Sequence, residues 1–566
     1  MSTCRIVIIG GVATGPKAAA RARRRDPGAQ ITIVERSELI SYSGCGMPFY
    51  VSGLVKDIGQ LACTPVGVPR DPAFFLSTKN VLVLNRTEAL AIDRANKRVL
   101  IRSLETGQEQ YLPYDKLVIA TGGLPVVPPI PGLELEGVYR LNHPDDAVAI
   151  RQAIASGQVK RAAVVGGGLI GMEAVEALSA HGIEVAVVEM LPYLLGRLLD
   201  METAVFLTKH VREKGAQVFT GEKVVRLEGD ASGRVARVVT EQRTIPADMV
   251  LLALGVRPNV RLAQEAGLAL GPTGAIAVNE HLQTSDPDIY AGGDCVENTH
   301  LVTGQKVYVP LGSTANKHGR IIGDNITGGH VSFPGIVGTT VLKVFDYNVG
   351  CTGLSESEAR RLAYDVVTAI VPSPDCAEYY PASKPVLMKL VAERSTGRLL
   401  GGQAVGPGDG IKRIDVLATA LYFGAKAADI GMLDLGYAPP YATAIDLIAH
   451  AANTIENKRA GLLNGISPAE VKAMIDRGED FCWLDVRTPA EYRQLRIENP
   501  RVKHIPLGQL RSRLEELPRD KPIIAFCRVS LRGYEAARAL AGAGFTDVRV
   551  MDGGIVAWPY ELNPAG

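Results

Sequence analysis

Two stretches of this chain share one pattern: a short apolar strand runs into a glycine turn and on into a helix. The first is Arg5-Ile-Val-Ile-Ile-Gly-Gly-Val-Ala-Thr-Gly15, followed by the strand Ile31-Thr-Ile-Val-Glu35. The second is Arg161-Ala-Ala-Val-Val-Gly-Gly-Gly-Leu-Ile-Gly171, followed by Val185-Ala-Val-Val-Glu189. In such a unit the glycines let the backbone approach a pyrophosphate and the helix N-terminus attracts its charge. A carboxylate about 20 residues later bonds the ribose hydroxyls. Gly10, Gly15 and Glu35 fit these roles in the first unit, where Val12 replaces the middle glycine, and a plain strand-to-helix turn is the alternative there. Gly166, Gly168, Gly171 and Glu189 complete the pattern in the second. Glu189 favours a free 2′-hydroxyl and repels a 2′-phosphate, and no arginine follows it directly, so NADH is expected over NADPH. The alternative for Glu189 is a solvated strand end.

The 566 residues exceed a single hydrophobic core, which stops growing at roughly 250 to 300 residues, so several domains are expected. With 61 basic residues against 60 acidic ones, the chain has no electrostatic surplus for nucleic acid or an anionic membrane. Met1 leads directly into the apolar Ile6 to Ile9 with no signal-peptide pattern, and no stretch is long and apolar enough for a bilayer, which makes the cytoplasm the expected location. The eight cysteines include no C-x-x-C pair, so no metal is expected.

Further motifs extend the reading. Ile119-Ala-Thr-Gly-Gly123, Ala253-Leu-Gly-Val-Arg-Pro-Asn259 and Thr284-Ser-Asp-Pro-Asp-Ile-Tyr-Ala-Gly-Gly-Asp294 follow in order. This set resembles the pyridine nucleotide-disulfide oxidoreductase family over about residues 1 to 450. The resemblance implies an FAD domain interrupted by an NAD domain, then a dimerisation domain and hence a homodimer. It assigns Arg36, Thr121, Gly122 and Gly255 to cofactor binding beside the glycine loops, and Asp294 to the ribityl chain of FAD.

Between the first unit and these motifs lies Ile40-Ser-Tyr-Ser-Gly-Cys-Gly-Met-Pro-Phe-Tyr-Val-Ser-Gly53. Cys45 sits among small residues at the apparent start of a helix, where the dipole and free N–H groups favour a thiolate. A buried structural cysteine is the alternative. Position 50 is Tyr50 and position 40 is Ile40, so there is no cysteine pair of the glutathione-reductase kind. The first glycine loop also lacks the histidine of the single-cysteine NADH oxidases and peroxidases. With Lys412-Arg-Ile-Asp-Val-Leu-Ala-Thr-Ala420, the segment resembles coenzyme A-disulfide reductase. That resemblance implies that Cys45 holds coenzyme A as a mixed disulfide, aided by Tyr379 and Tyr437 from the partner subunit, with Lys17, Arg21, Arg24, Ser41 and Lys79 contacting the substrate. Without it, each tyrosine reads as a packed core residue and each arginine equally as a solvated helix face.

After about residue 450 a polar connector leads to a new α/β unit. Asp485-Val-Arg487, the loop Cys527-Arg-Val-Ser-Leu-Arg-Gly533 and Gly553-Gly-Ile-Val-Ala-Trp558 occur in the order of a rhodanese domain, which this segment resembles. Backbone N–H groups and two arginines around Cys527 suit a thiolate or persulfide. A phosphatase-type Cys-x5-Arg loop fits less well, because Arg532 comes one residue early.

The expected class is therefore α/β: two Rossmann-like three-layer nucleotide-binding domains, an α+β dimerisation domain and a C-terminal α/β rhodanese domain. The expected boundaries are 1–148 and 249–325 for FAD, 149–248 for NAD, 326–450 for dimerisation, 451–465 for the connector and 466–566 for the last domain. The activity implied is reduction of coenzyme A disulfide, coenzyme A persulfide or polysulfide, with coenzyme A as substrate or bound cofactor. An NADH oxidase or peroxidase working through a sulfenic acid, and a sulfur-sensing flavoprotein with little turnover, are the alternatives.

Overall fold

The computed structural model describes residues 4–560 and 562. The chain divides into two units, Met1–Met190 with Gly221–Ile336, and Leu191–Thr220 with Val337–Gly566.

In the first unit Arg5–Ile9 is the middle strand of a five-stranded parallel sheet, ordered Ile289–Ala291, Lys116–Ile119, Arg5–Ile9, Gln30–Val34, Leu82–Leu84. Its strands are apolar runs without alternation because both faces are covered. Ile6 and Ile8 pack with Ala18, Ala22 and Ile322 of the helices Thr14–Arg25 and Gly312–Asn325 and with Ile326, which caps the second. Val7 and Ile9 pack the other way, with Ala89, Val99 and Ile101 of a small antiparallel sheet. Four more parallel strands, ordered Glu184–Glu189, Arg161–Val165, Met249–Leu252, Val138–Arg140, carry the second glycine motif. The two crossovers read from the sequence are bonded to each other. Gly123–Pro125 pairs antiparallel with Val256–Pro258, and Thr121 Oγ1 donates to the Asn259 carbonyl at 2.7 Å.

The second unit contains an antiparallel sheet, ordered Thr340–Val344, Tyr347–Gly353, Leu399–Gly406, Pro385–Glu393, Val366–Pro374. The helix Met201–Glu213 lies in the interval expected for the NAD domain, yet it groups with this sheet. Its first turn is fastened by charge. Lys389 is buried and reaches Glu202 and Glu356 at 2.8 Å and Asp200 at 3.3 Å. Gln403 donates to Asp200 and accepts from the Asp200 N–H and from Thr203 Oγ1.

The connector expected at 451–465 is helical as far as Arg459, because Asp446 caps the helix Leu447–Arg459 and its Ile448, Ala451, Ala452 and Ile455 are buried. A five-stranded parallel sheet follows, ordered Gly465–Ile466, Val548–Met551, Ile523–Phe526, Cys482–Asp485, Val502–His504. This last domain is seated rather than hung on a free linker. Lys458 Nζ pairs with Asp552 and donates to the Thr368 carbonyl at 2.8 Å, and Ala557 packs on Ile370 and Leu387.

Candidate active site

The two glycine loops are built alike. Gly10 and Gly166 have φ of +112° and +109°, and a Cβ at either would collide with a carbonyl oxygen, Ala120 or Ala253 respectively. At Gly15 and Gly171 a side chain would strike the carbonyl of Gly10 or Gly166, so only glycine lets the helix start this close to the strand. The acids expected to bind ribose both lie at the loops. Glu35 accepts from the Gly11 N–H and Glu189 from the Gly167 N–H, each at 2.6 Å. Gly168 is the N-cap of the helix Leu169–Ser179, Gly122 and Gly255 take left-handed backbone at the crossovers, and Arg36 is exposed beside Glu35. Burial raises the Asp294 carboxyl, which takes no hydrogen bond from the described residues. A group rich in hydroxyl donors, such as the ribityl chain of FAD, suits such a carboxyl.

Cys45 lies in the 3-10 turn Gly44–Gly46, just ahead of the short helix Met47–Val51. The sequence places this thiol where a helix dipole lowers its pKa; the structure raises it. Cys45 is exposed as a residue, yet partial desolvation of its thiol contributes most, followed by the carboxylates of Glu173 and Asp294. One 3-10 turn and five helical residues supply too little dipole to outweigh these. The segment is held from behind by residues the sequence did not single out. Arg151 donates to the carbonyls of Tyr50 and Val55 at 2.9 Å and lies 4.6 Å from the Tyr50 ring centre, and His181 Nε2 is 2.7 Å from the Val51 carbonyl. Glu173 was also missed, since one glutamate on a helix reads as solvated. It is half-buried and its carboxyl is pushed up to about 7 by burial and by Glu176.

The expected substrate contacts separate into free and committed groups. Lys17 and Arg24 are exposed, and Lys79 Nζ stands 5.6 Å from the centre of the Phe74 ring. Arg21 is committed to Asp324 at 2.6 Å, and Arg25 approaches the same carboxylate. Ser41 is buried with φ of 52°; its N–H donates to Gly11, and its carbonyl and hydroxyl accept from Arg70, a residue the sequence did not mark.

Tyr379 and Tyr437 lie in the second unit and are 78% and 55% exposed, so neither is the packed core residue of the alternative reading. Their loops are stitched together by the Ala377 N–H donating to the Pro439 carbonyl. Buried Arg413 ties the ends of these loops, donating to Asp446 and to the carbonyls of Asp375, Asp409 and Tyr441.

Cys527 is buried at the end of its strand, and its sulfur accepts from the Ser530 N–H at 3.3 Å. Ser530 has φ of 106°, strained for a residue with a side chain. The Ile555 N–H holds the Cys527 carbonyl from behind, as the Val556 N–H holds that of Arg528. Of the two arginines expected to face the sulfur, Arg532 interacts with it and is also bound to Glu491 by two hydrogen bonds of 2.7 Å, and Arg528 is exposed. Cys482 is core, as expected.

Comparisons with known proteins bear on the whole chain. Residues 4–319 match the model of the pyridine nucleotide-disulphide oxidoreductases, 339–449 that family's dimerisation domain and 467–560 the rhodanese-like domain. A relative from Pyrococcus abyssi, described as an NAD(P)H sulfur oxidoreductase (CoA-dependent), is 37% identical over 451 residues, 80% of this chain and 98% of its own. A solved NAD-dependent persulfide reductase from A. fulgidus is 45% identical, with a TM-score of 0.93 over 98% of this chain and 100% of its own. Reduced CoADR-RHD from Bacillus anthracis is 35% identical, with a TM-score of 0.91 over 99% of this chain and 98% of its own.

Proposed function

Since the chain belongs to the pyridine nucleotide-disulphide oxidoreductase family, we propose that it is an FAD-dependent cytoplasmic enzyme that uses NADH to reduce coenzyme A persulfide, polysulfide or coenzyme A disulfide. The observation that carries this reading is a free Cys45 without a partner cysteine, in a chain that also seats a second sulfur-handling domain around Cys527. The Cys45 thiolate attacks the inner sulfur of a coenzyme A persulfide, forming a Cys45–coenzyme A mixed disulfide and releasing hydrosulfide. A bound flavin supplies the two-electron path from the nicotinamide that cleaves this disulfide. In sum, the persulfide, NADH and a proton give coenzyme A thiol, hydrogen sulfide and NAD+. Lys17 and Arg24 suit the phosphates of coenzyme A as free cations, and we assign Ser41, Lys79 and Arg21 to the same substrate. The test is anaerobic NADH consumption with coenzyme A persulfide. Turnover should depend on the sulfur substrate, and kcat/KM should favour NADH over NADPH by at least about tenfold, the effect of one charge-assisted contact at Glu189. Consumption that needs oxygen and no sulfur compound would make the oxidase the better reading.

We further propose a homodimer in which Tyr379 and Tyr437 of one subunit serve the Cys45 site of the other, supplying the polar contact that a raised thiol requires. The matched dimerisation domain and the exposure of both tyrosines support this. Mixed dimers carrying Cys45→Ser on one chain and Tyr437→Phe on the other hold one intact site, and are expected to recover about half of the unmodified activity. No recovery would place the tyrosines' work in their own subunit.

A further inference from the structure

The Cys527 loop is less cationic than its sequence, because one of its two arginines is paired with a carboxylate. Arg532 closes the loop within reach of the Cys527 sulfur, but both its terminal nitrogens also donate to the Glu491 carboxylate, at 2.7 Å, which offsets its charge. Glu491 is held well below the usual carboxylate range, at about 2, chiefly by Arg532, so it stays ionised and the pair is neutral. Asp485 and Arg487 form a second neutral pair, fully buried, with contacts of 2.6 to 3.1 Å. Arg528 is the loop's exposed cation with no carboxylate partner among the described residues, and two apolar residues follow it, Val529 and Leu531, which are 37% and 65% exposed. A small dianion such as thiosulfate gives up its hydration on entering and meets a single uncompensated charge there, with a carboxylate behind the second arginine. A sulfane sulfur carried on an uncharged carbon chain has little hydration to lose and gains contact with Val529 and Leu531.

We propose that Glu491, by neutralising Arg532, makes the Cys527 site accept its sulfur from organic persulfides in preference to thiosulfate. The proposal rests on the sulfur-carrying role given to Cys527 above. In the transfer, the Cys527 thiolate attacks the outer sulfur of R–S–SH, giving Cys527–S–SH and the thiolate R–S−; one sulfur atom moves and no external oxidant or reductant is needed. Glu491 acts through Arg532 and is a positioning residue. Its side chain also accepts the Thr488 N–H in the capping box of the helix Pro489–Gln494, a bond that glutamine keeps. Glu491→Gln therefore removes the charge and leaves the helix start intact.

The experiment compares the full-length protein with its Glu491→Gln and Cys527→Ser variants, following persulfide loading of Cys527 by intact-protein mass and by transfer to cyanide. The donors are thiosulfate and an alkyl persulfide such as propyl persulfide. The unmodified protein should load from the persulfide and poorly from thiosulfate. Glu491→Gln should raise kcat/KM for thiosulfate by about tenfold or more, with a steeper salt dependence, and leave the alkyl persulfide within about twofold. A merely structural role would lower both donors together, and that result overturns the proposal, as does an unchanged ratio. Failure of the unmodified protein to load from any donor, with Cys527→Ser indistinguishable from it, would instead overturn the sulfur-carrying reading of the domain.

Discussion

Cys45→Ser is expected to keep FAD and its reduction by NADH while losing reduction of coenzyme A disulfide and persulfide by more than about a hundredfold. At about 1.36 kcal/mol per factor of ten, this is a loss of about 2.7 kcal/mol or more in transition-state stabilisation. A serine hydroxyl is not ionised at neutral pH and forms no disulfide, so the covalent step has no substitute. The glycine loops that fit the two nucleotides are unaffected, since Cys45 touches neither Gly10 nor Gly166 in the hydrogen-bond pattern. The measurement is rapid-mixing absorbance of the flavin with NADH, followed by substrate. Retained turnover on either sulfur substrate would remove Cys45 from the mechanism. The raised thiol adds a pH signature. Desolvation of the thiol, Glu173 and Asp294 all push Cys45 upward. Activity should therefore climb on the alkaline side and flatten once the thiolate predominates.

Lys389→Met is expected to cost about 3 to 5 kcal/mol of folding stability, the usual price of leaving buried charge uncompensated. Lys389 is 1% exposed and faces three carboxylates, of which Asp200 is 5% and Glu202 10% exposed. In the unmodified protein Lys389 is raised, so its contribution is complete below the ordinary lysine pKa and lost only at strongly alkaline pH. Asp200 and Glu356 are lowered by Lys389 and neighbouring donors despite their burial, so their contribution is complete above the usual carboxylate range and lost as pH falls through it. In the variant the sign reverses. Carboxylates buried without a cation bind protons more tightly folded than unfolded, so the deficit should shrink as pH is lowered towards the carboxylate range. Urea denaturation of both proteins at neutral and mildly acidic pH checks this. A deficit that does not change with pH would mean that the lysine acts by packing alone.

The architecture was legible in the sequence because its signals are local. A buried parallel strand that ends in a glycine turn and starts a helix needs fewer than a dozen consecutive residues, and both copies, from Arg5 and from Arg161, fold as read. The same holds for the rhodanese-like segment, where Ser467 caps the helix Pro468–Asp476 and Phe526 ends the strand that delivers Cys527. What the sequence left open is which charges remain free to work. Arg21 and Asp324 stand 303 positions apart, Lys389 and Glu202 187, and Arg532 and Glu491 41. No spacing rule connects such residues. Packing of apolar strands and helices brings each pair together, and at Lys389 it carries the cation fully out of water, where an unpaired charge is too costly to keep. The sequence thus determined where nucleotides and sulfur could be handled, through backbone turns that only glycine permits and cysteines placed at the ends of local elements. The tertiary structure decided what surrounds those cysteines, because desolvation of the thiol beside Glu173 and Asp294 raises Cys45, and the Glu491 carboxylate pairs with Arg532 beside Cys527.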